Sequence, residues 1–250
     1  MILLEKFEKQ GIWLFKHRSF LPLIVLLIGL LIYVNNELYP GPVTLEDTVY
    51  ESYYEFFCLS ISLLGLVIRM LTVGYTPSNT SGRNTCEQVA DSLNTTGMYS
   101  MVRHPLYLGN FFMWLGPALL TGHFWFIISF CFFYWLYYER IMFAEEQFLK
   151  RKFGAIYTAW ANVLPAFIPD FRKYKSPDLA FSWKKVLKKE KNGLFATFIV
   201  FVIFDICGNL IKQSGRFNYF LLAGLLITML TYGVLKYLKM KTQIFDEPGR

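Results

Sequence analysis

Little in this chain could bind a metal or build a covalent framework. Of its 250 residues, four are cysteine (Cys58, Cys86, Cys131, Cys207) and three are histidine (His17, His104, His123). The cysteines stand far apart, with no Cys-x-x-Cys pair and no Cys/His cluster, which argues against a structural zinc site or a disulfide framework. Three scattered histidines leave no material for a His-rich metal centre, so no metal is expected. Charge is scarce too. Asp, Glu, Lys and Arg make up 17% of the chain, against about a quarter in ordinary soluble proteins. There is no long-period repeat and no low-complexity tract.

What is present is apolar. Hydrophobic residues are 54% and aromatics 19% of the chain, and the mean hydropathy is +0.36. This excludes an ordinary soluble domain and predicts an all-α, polytopic membrane protein. Six apolar segments stand out, at 20–34, 56–73, 106–120, 124–138, 194–211 and 217–238. Several are shorter than the ~20 residues of a full span, which tilt, flanking aromatics or local thinning can offset. Gly116-Pro117 is a candidate kink. No Ala-x-Ala cleavage pattern follows the first run, so it reads as a retained span and not as a signal peptide.

The net charge of +7 lies in blocks beside the apolar runs and not in an aromatic-interleaved stripe. That distribution suits anionic lipid and argues against a nucleic-acid partner. Residues 35–54 hold no Lys or Arg but carry Glu37, Glu46, Asp47 and Glu51. Residues 141–192 are rich in both cations, and the two ends add Lys6, Lys9, Lys16, Arg18, Lys239, Lys241 and Arg250. The positive-inside rule then puts both termini, the loop with Arg83 and Arg103, and the Glu145 region in the cytoplasm. Lys212 and Arg216 are mild dissenters. Two Asn-x-Ser/Thr strings, at Asn79 and Asn94, fall on that cytoplasmic side and are discounted as glycosylation sites.

Polar residues at the membrane boundary are costly unless they serve a purpose. The string Gly97-Met98-Tyr99-Ser100-Met101-Val102-Arg103-His104-Pro105-Leu106-Tyr107-Leu108-Gly109-Asn110 leads from a polar turn into an apolar run. Alone, His104-Pro105 reads as a pre-proline turn with Pro105 opening a helix. With Arg103, Tyr107 and the glycines around it, the same helix start also suits the anionic part of a small ligand. His17 reads as solvated, and His123 as the cap of a tight hairpin after Thr121-Gly122.

Glu145 and Glu146 close the next apolar run. They suit a helix dipole, yet the hairpin also brings them back toward the Arg103-His104-Pro105 turn. Adjacent helix positions point about 100° apart, so the two cannot share one role. Residues 145–160 read as an interfacial helix, with Phe148, Phe153, Ile156, Tyr157 and Trp160 at helical spacing and Lys150, Arg151 and Lys152 opposite. Arg69 is expected to snorkel and Arg140 to pair with Glu139, unless either meets an anionic headgroup. The segment 78–85 reads as a connector or a lid.

The order Gly-x-Tyr, Arg-His-Pro-x-Tyr-x-Gly, Glu-Glu resembles the isoprenylcysteine carboxyl methyltransferase family of integral-membrane enzymes. The downstream Phe153-Gly154, Tyr157, Pro165 and Pro169 fit the same pattern, and the resemblance covers roughly residues 65–169. It implies S-adenosylmethionine as cofactor, held by Asp91, Ser92, Leu93, Asn94, Tyr99, His104, Pro105, Leu106, Tyr107 and Glu145. It implies catalytic roles for Arg103, His104, Glu145 and Arg140, the last facing the acceptor. The chain then divides into an N-terminal span and outer loop (1–54), a methyltransferase core (55–169), and a basic linker with two more spans (170–250).

The string from Ser81-Gly82-Arg83-Asn84 through Leu93-Asn94-Thr95-Thr96-Gly97 looks like the bacterial branch, which includes lipid A 1-phosphate methyltransferases. That implies a bacterial inner membrane and a lipid phosphate acceptor. Tyr99, Tyr107 and Trp135 are candidate ring faces for a sulfonium. An isoprenylcysteine carboxyl or phospholipid amine methyltransferase stays open. So do an NADPH-dependent membrane reductase of the sterol-reductase type and a non-enzymatic membrane interaction protein.

Overall fold

A computed structural model describes residues 2–39, 49–80, 89–213, 215 and 217–249. The segment around Ser81 to Thr85 with Arg83, the acidic Glu46 and Asp47, Cys86 and Arg216 lie outside the described residues. Among the described residues there are helices and no strand. The helices are α1 (Leu3–His17), α2 (Leu21–Leu38), α3 (Val49–Gly74), α4 (Pro105–Leu120), α5 (Phe124–Val163), α6 (Trp183–Lys212) and α7 (Tyr219–Lys241). Short 3-10 turns stand at Gly97–Ser100 and Phe171–Lys173.

All six apolar segments are largely helical, and among the described residues four to five helices or helix pairs are long and apolar enough to span. Four helices, α3, α5, α6 and α7, are long and apolar enough to cross a membrane. α1 and α2, bent by 69°, make a fifth only if taken together. α4 has 16 residues, about 24 Å of helix at 1.5 Å per residue, short of a ~30 Å hydrocarbon core. Pro117 does not end it, and the helix runs on to Leu120.

Without a hydrophobic drive between helices in lipid, close packing depends on small residues. α3 and α4 pack antiparallel on that principle. A Cβ on Gly65 would fall 2.4 Å from the Gly109 carbonyl oxygen, and one on Gly116 would fall 2.1 Å from Ser62 Oγ. Ser62 Oγ donates to the Met113 carbonyl at 3.0 Å, and Tyr54 Oη to the Leu119 carbonyl at 2.6 Å. Gly109 of the motif is therefore a packing residue. The stem of Arg69 crosses it, with Cγ 2.5 Å from where a Cβ would stand.

The hairpin from α4 to α5 turns at Gly122 (φ +63°), and His123 caps α5 by accepting from Phe126 N–H at 3.2 Å. α5 then runs as one element of 40 residues, broken only at Gly154 (φ 57°, ψ −127°). The expected interfacial helix therefore does not begin at Glu145. The change of direction comes nine residues later, at a glycine that tolerates this conformation. Its apolar residues also divide. Phe148, Tyr157 and Trp160 face inward to a cavity, while Ile156 is exposed.

α1 crosses α5 at Gly11, where a Cβ would fall 2.1 Å from the Arg140 carbonyl oxygen. Phe7 meets Phe143 edge-on, and Arg151 pairs with Glu8 at 2.6 Å. At the end of the bundle where α3 begins and α6 stops, Lys212 reaches Glu37 at 3.1 Å and Glu51 at 2.9 Å. That pairing accounts for a lysine on the acidic side.

Candidate active site

A cavity of about 710 Å³ opens at the basic end of the bundle, within the usual range for small-molecule sites. Its walls come from the α1–α2 junction, the inner ends of α3 and α6, residues 89–94, the 3-10 turn, the start of α4 and the second half of α5. Of the residues named from sequence, Ser92, Leu93, Asn94 and Tyr99 line it, as do Arg103, His104, Leu106, Tyr107 and Glu145.

Backbone bonds set the motif turn. Pro105 is the first residue of α4 and His104 its N-cap, as the pre-proline reading expects. Arg103 N–H and His104 N–H donate to the carbonyls of Pro165 and Ala166 at 3.0 and 3.2 Å. Asp170 N–H donates to the Met101 carbonyl at 3.0 Å. Gly97 (φ +61°) donates to the Lys175 carbonyl at 2.9 Å. The stretch with Pro165 and Pro169 is thus an edge clamped on the motif turn.

On this support the side chains interlock. Tyr107 Oη donates to Glu145 Oε1 at 2.6 Å, and its carbonyl accepts from Tyr134 Oη at 2.6 Å. His104 Nε2 lies 2.9 Å from Glu146 Oε1, which also takes Arg103 Nη1 at 3.0 Å. His104 Nδ1 is 3.7 Å and Arg18 Nη1 3.9 Å from the two oxygens of Glu145. The two carboxylates therefore divide their work as helix geometry requires. Glu146 ties the motif turn to α5, and Glu145 faces the cavity. Burial, and then the Glu145 carboxylate, push the Tyr99 phenol above its ordinary pKa, with Arg69 opposing. Tyr99 stays a neutral donor at physiological pH.

Four expectations meet a different placement. Arg140 is not at the cavity. It pairs with Glu139 at 3.2 Å and lies 3.6 Å over the Phe7 ring, because its position on α5 faces α1. Asp91 also lies off the cavity wall and accepts from Asn79 Nδ2 at 3.0 Å. Trp135 is half-exposed and packs on Phe167. Pro105 is buried under the turn and not on the wall.

Four cavity residues are not expected at the site from the sequence. Arg18 arrives because α1 is a helix whose far end meets α4. Tyr157 and Trp160 arrive because Gly154 turns α5. Glu190 comes from α6 and binds Arg69 through two oxygens, at 2.9 and 2.8 Å, while Arg69 Nη1 donates to Asn110 Oδ1 at 2.6 Å. The apolar and Gly positions of α1 and α5 hinted at the first three; nothing local marked Glu190. Among the described residues, no three His, Cys, Asp or Glu side chains group to hold a metal ion.

The class defined so far is a membrane protein, helical throughout its described residues, with a cavity of mixed polar and apolar lining at the basic end of its bundle. Residues 56–156 match the phospholipid methyltransferase family model. The protein-S-isoprenylcysteine O-methyltransferase of Schizosaccharomyces pombe is 37% identical over 78 residues, 31% of this chain and 33% of that protein. Its counterpart in Tribolium castaneum is 28% identical over 118 residues, 47% of this chain and 42% of the other. The nickel-cobalt-cadmium resistance protein NccN of Alcaligenes xylosoxydans xylosoxydans is 32% identical over 120 residues, 47% and 53% of the two chains. The chain thus spans about a third to a half of the length of these relatives. No solved structure matches it significantly. Its centre is similar to the isoprenylcysteine carboxyl methyltransferase-like membrane methyltransferases, as the motif order implies.

Proposed function

We propose that this protein is an S-adenosylmethionine-dependent methyltransferase acting on an oxygen anion of a membrane-embedded lipid, preferably a lipid phosphate such as lipid A 1-phosphate. The observation that carries the reading is the Tyr107–Glu145–His104 cluster on the wall of a cavity in the family-matched segment. The residues fit such a cofactor by their chemistry. A cavity-facing carboxylate suits an ammonium group or ribose hydroxyls, and the Tyr99, Tyr107 and Tyr138 side chains lining the wall suit a sulfonium. When bound, the cofactor supplies an electrophilic methyl carbon.

The chain's own part is to bind, orient and exclude water. Tyr107 Oη donates a hydrogen bond to Glu145 and so fixes that carboxylate toward the cavity. His104 and Arg103, held by Glu146, keep the turn closed. A phosphate monoester is already ionised at neutral pH, so no strong base is required. With Arg140 on another face, the basic side chains that line the cavity include Arg18, Arg69, Arg103, Lys188 and Lys239. This charge supports an anionic acceptor over an amine.

Purified protein incubated with labelled methyl donor should label a lipid A-type phosphate and not phosphatidylethanolamine. Label appearing only on a farnesylcysteine carboxylate would remove the phosphate preference and keep the methyltransferase; reduction of a sterol by NADPH would remove both.

We further propose a cytoplasmic cavity in a bacterial inner membrane, because the basic residues gather at that end. Tyr219, at the start of α7, and Tyr174, near the motif clamp, are both exposed. An impermeant thiol reagent added to intact cells should label Tyr219→Cys and spare Tyr174→Cys. The reverse pattern would invert the topology.

A further inference from the structure

Three buried side-chain donors at the cavity have no hydrogen-bond partner among the described residues. They are Arg103 Nε, Tyr157 Oη and Trp160 Nε1. All three side chains contribute to the same cavity wall. Tyr157 is only 4% exposed. Leaving a buried donor unpaired is costly, so three together call for a reason.

Their placement is not accidental to the fold. Tyr157 and Trp160 are three residues apart on the helical turn after Gly154, with ring centroids 5.7 Å apart. Arg103 is brought to them by its backbone bond to Pro165, just past the end of α5. Tyr157 lies within electrostatic reach of Glu146, Arg103 and Glu145, and its phenol oxygen sits at the outer edge of hydrogen-bonding range of the Arg103 guanidinium. The nearby carboxylates are already engaged. Glu146 Oε1 takes Arg103 Nη1 and His104 Nε2, and Glu145 Oε1 takes Tyr107 Oη. The Nε–H of Arg103, the O–H of Tyr157 and the N–H of Trp160 therefore remain beside the cavity without a carboxylate to meet.

We propose that Arg103, Tyr157 and Trp160 form an oxyanion subsite that takes a carboxylate or a phosphate group. The guanidinium supplies charge, and the phenol and indole supply direction, a combination suited to oxygen-rich anions. The three polar atoms are sealed from solvent, so a ligand in the cavity meets them by rotation of side chains that already line it. Within the methyltransferase reading, such a group has two sources: the carboxylate of the methyl donor's amino-acid part, or the headgroup of the acceptor.

The test uses the full chain in nanodiscs, with Tyr157→Phe, which removes the donor and keeps the ring, and Trp160→Phe, which removes the donor and keeps an aromatic, though smaller, ring. Calorimetry is run with S-adenosylhomocysteine, with 5′-methylthioadenosine, which lacks the carboxylate, and with short-chain phosphatidic acid. Each variant should weaken one anionic ligand about tenfold or more, the usual loss for a hydrogen bond to a charged group. The affinity of 5′-methylthioadenosine should not change. Loss confined to S-adenosylhomocysteine assigns the subsite to the donor carboxylate; loss confined to phosphatidic acid assigns it to the acceptor.

Thermal unfolding adds a readout that a merely structural role would move the other way. Removing an unsatisfied hydroxyl should leave the ligand-free Tyr157→Phe protein as stable as wild type or more so. Unchanged affinity for both anions, or a lowered Tm with equal loss of all three ligands, would overturn the proposal. A wild-type protein that binds neither adenosyl compound would instead sink the methyltransferase reading, while the phosphatidic acid arm still decides the subsite.

Discussion

Glu190→Ala is expected to destabilise the protein by about 3–5 kcal/mol, the usual cost of removing one partner from a buried ion pair. The Glu190 side chain is 4% exposed and that of Arg69 13%. Glu190 occupies two of the guanidinium's nitrogens, leaving Asn110 on the third. Truncation leaves the Arg69 cation beside Gly109 and Asn110 without its carboxylate partner. The decisive comparison is the double variant Arg69→Met with Glu190→Met. It removes both charges and should regain most of the lost stability, because the cost lies in the unpaired charge. Unfolding of the purified protein in mild denaturing detergent measures both. A single variant as stable as wild type would mean that the pair does not hold α6 to α3.

Glu145→Ala should weaken methyl-donor binding by about tenfold to a hundredfold, as expected for losing a charged hydrogen-bond partner. The cavity-facing carboxylate would lose its contact to the ligand, and Tyr107 Oη would lose its acceptor at 2.6 Å. Glu146→Ala should act differently. It loosens Arg103 and His104 from α5, so its first effect is on stability. Calorimetry with S-adenosylhomocysteine on folded protein separates the two. Equal affinity in Glu145→Ala and wild type would remove Glu145 from the donor site.

Those two carboxylates show how far local pattern reaches. Their adjacency, and the 100° between neighbouring helix positions, already required two roles. Which one faced the cavity depended on how α5 rotates against α4, a packing outcome. The same limit explains Arg140. Its distance along the chain from Glu145 suggested a shared site, but α1 occupies the face of α5 to which Arg140 belongs. An amphipathic N-terminal segment lies too far away in sequence for that competition to be visible. Gly154 is a comparable case: a glycine within a helical pattern is tolerated, and only the observed φ of 57° shows that the helix breaks there.

The amino-acid sequence by itself determined the membrane class, the helical segments, the tight turn capped by His123, the helix start at His104-Pro105 and most of the cavity wall near Tyr99 to Tyr107. Each depends on composition, on residue periodicity or on conformations that Pro and Gly impose over a few residues, so a short window holds all the physics. The tertiary structure alone decided that Arg18, Tyr157, Trp160 and Glu190 join that wall and that Arg140 does not. It also decided that Gly109 serves the stem of Arg69. Those outcomes depend on which helix faces meet across the bundle, and that is set by close packing between small residues distant in the chain.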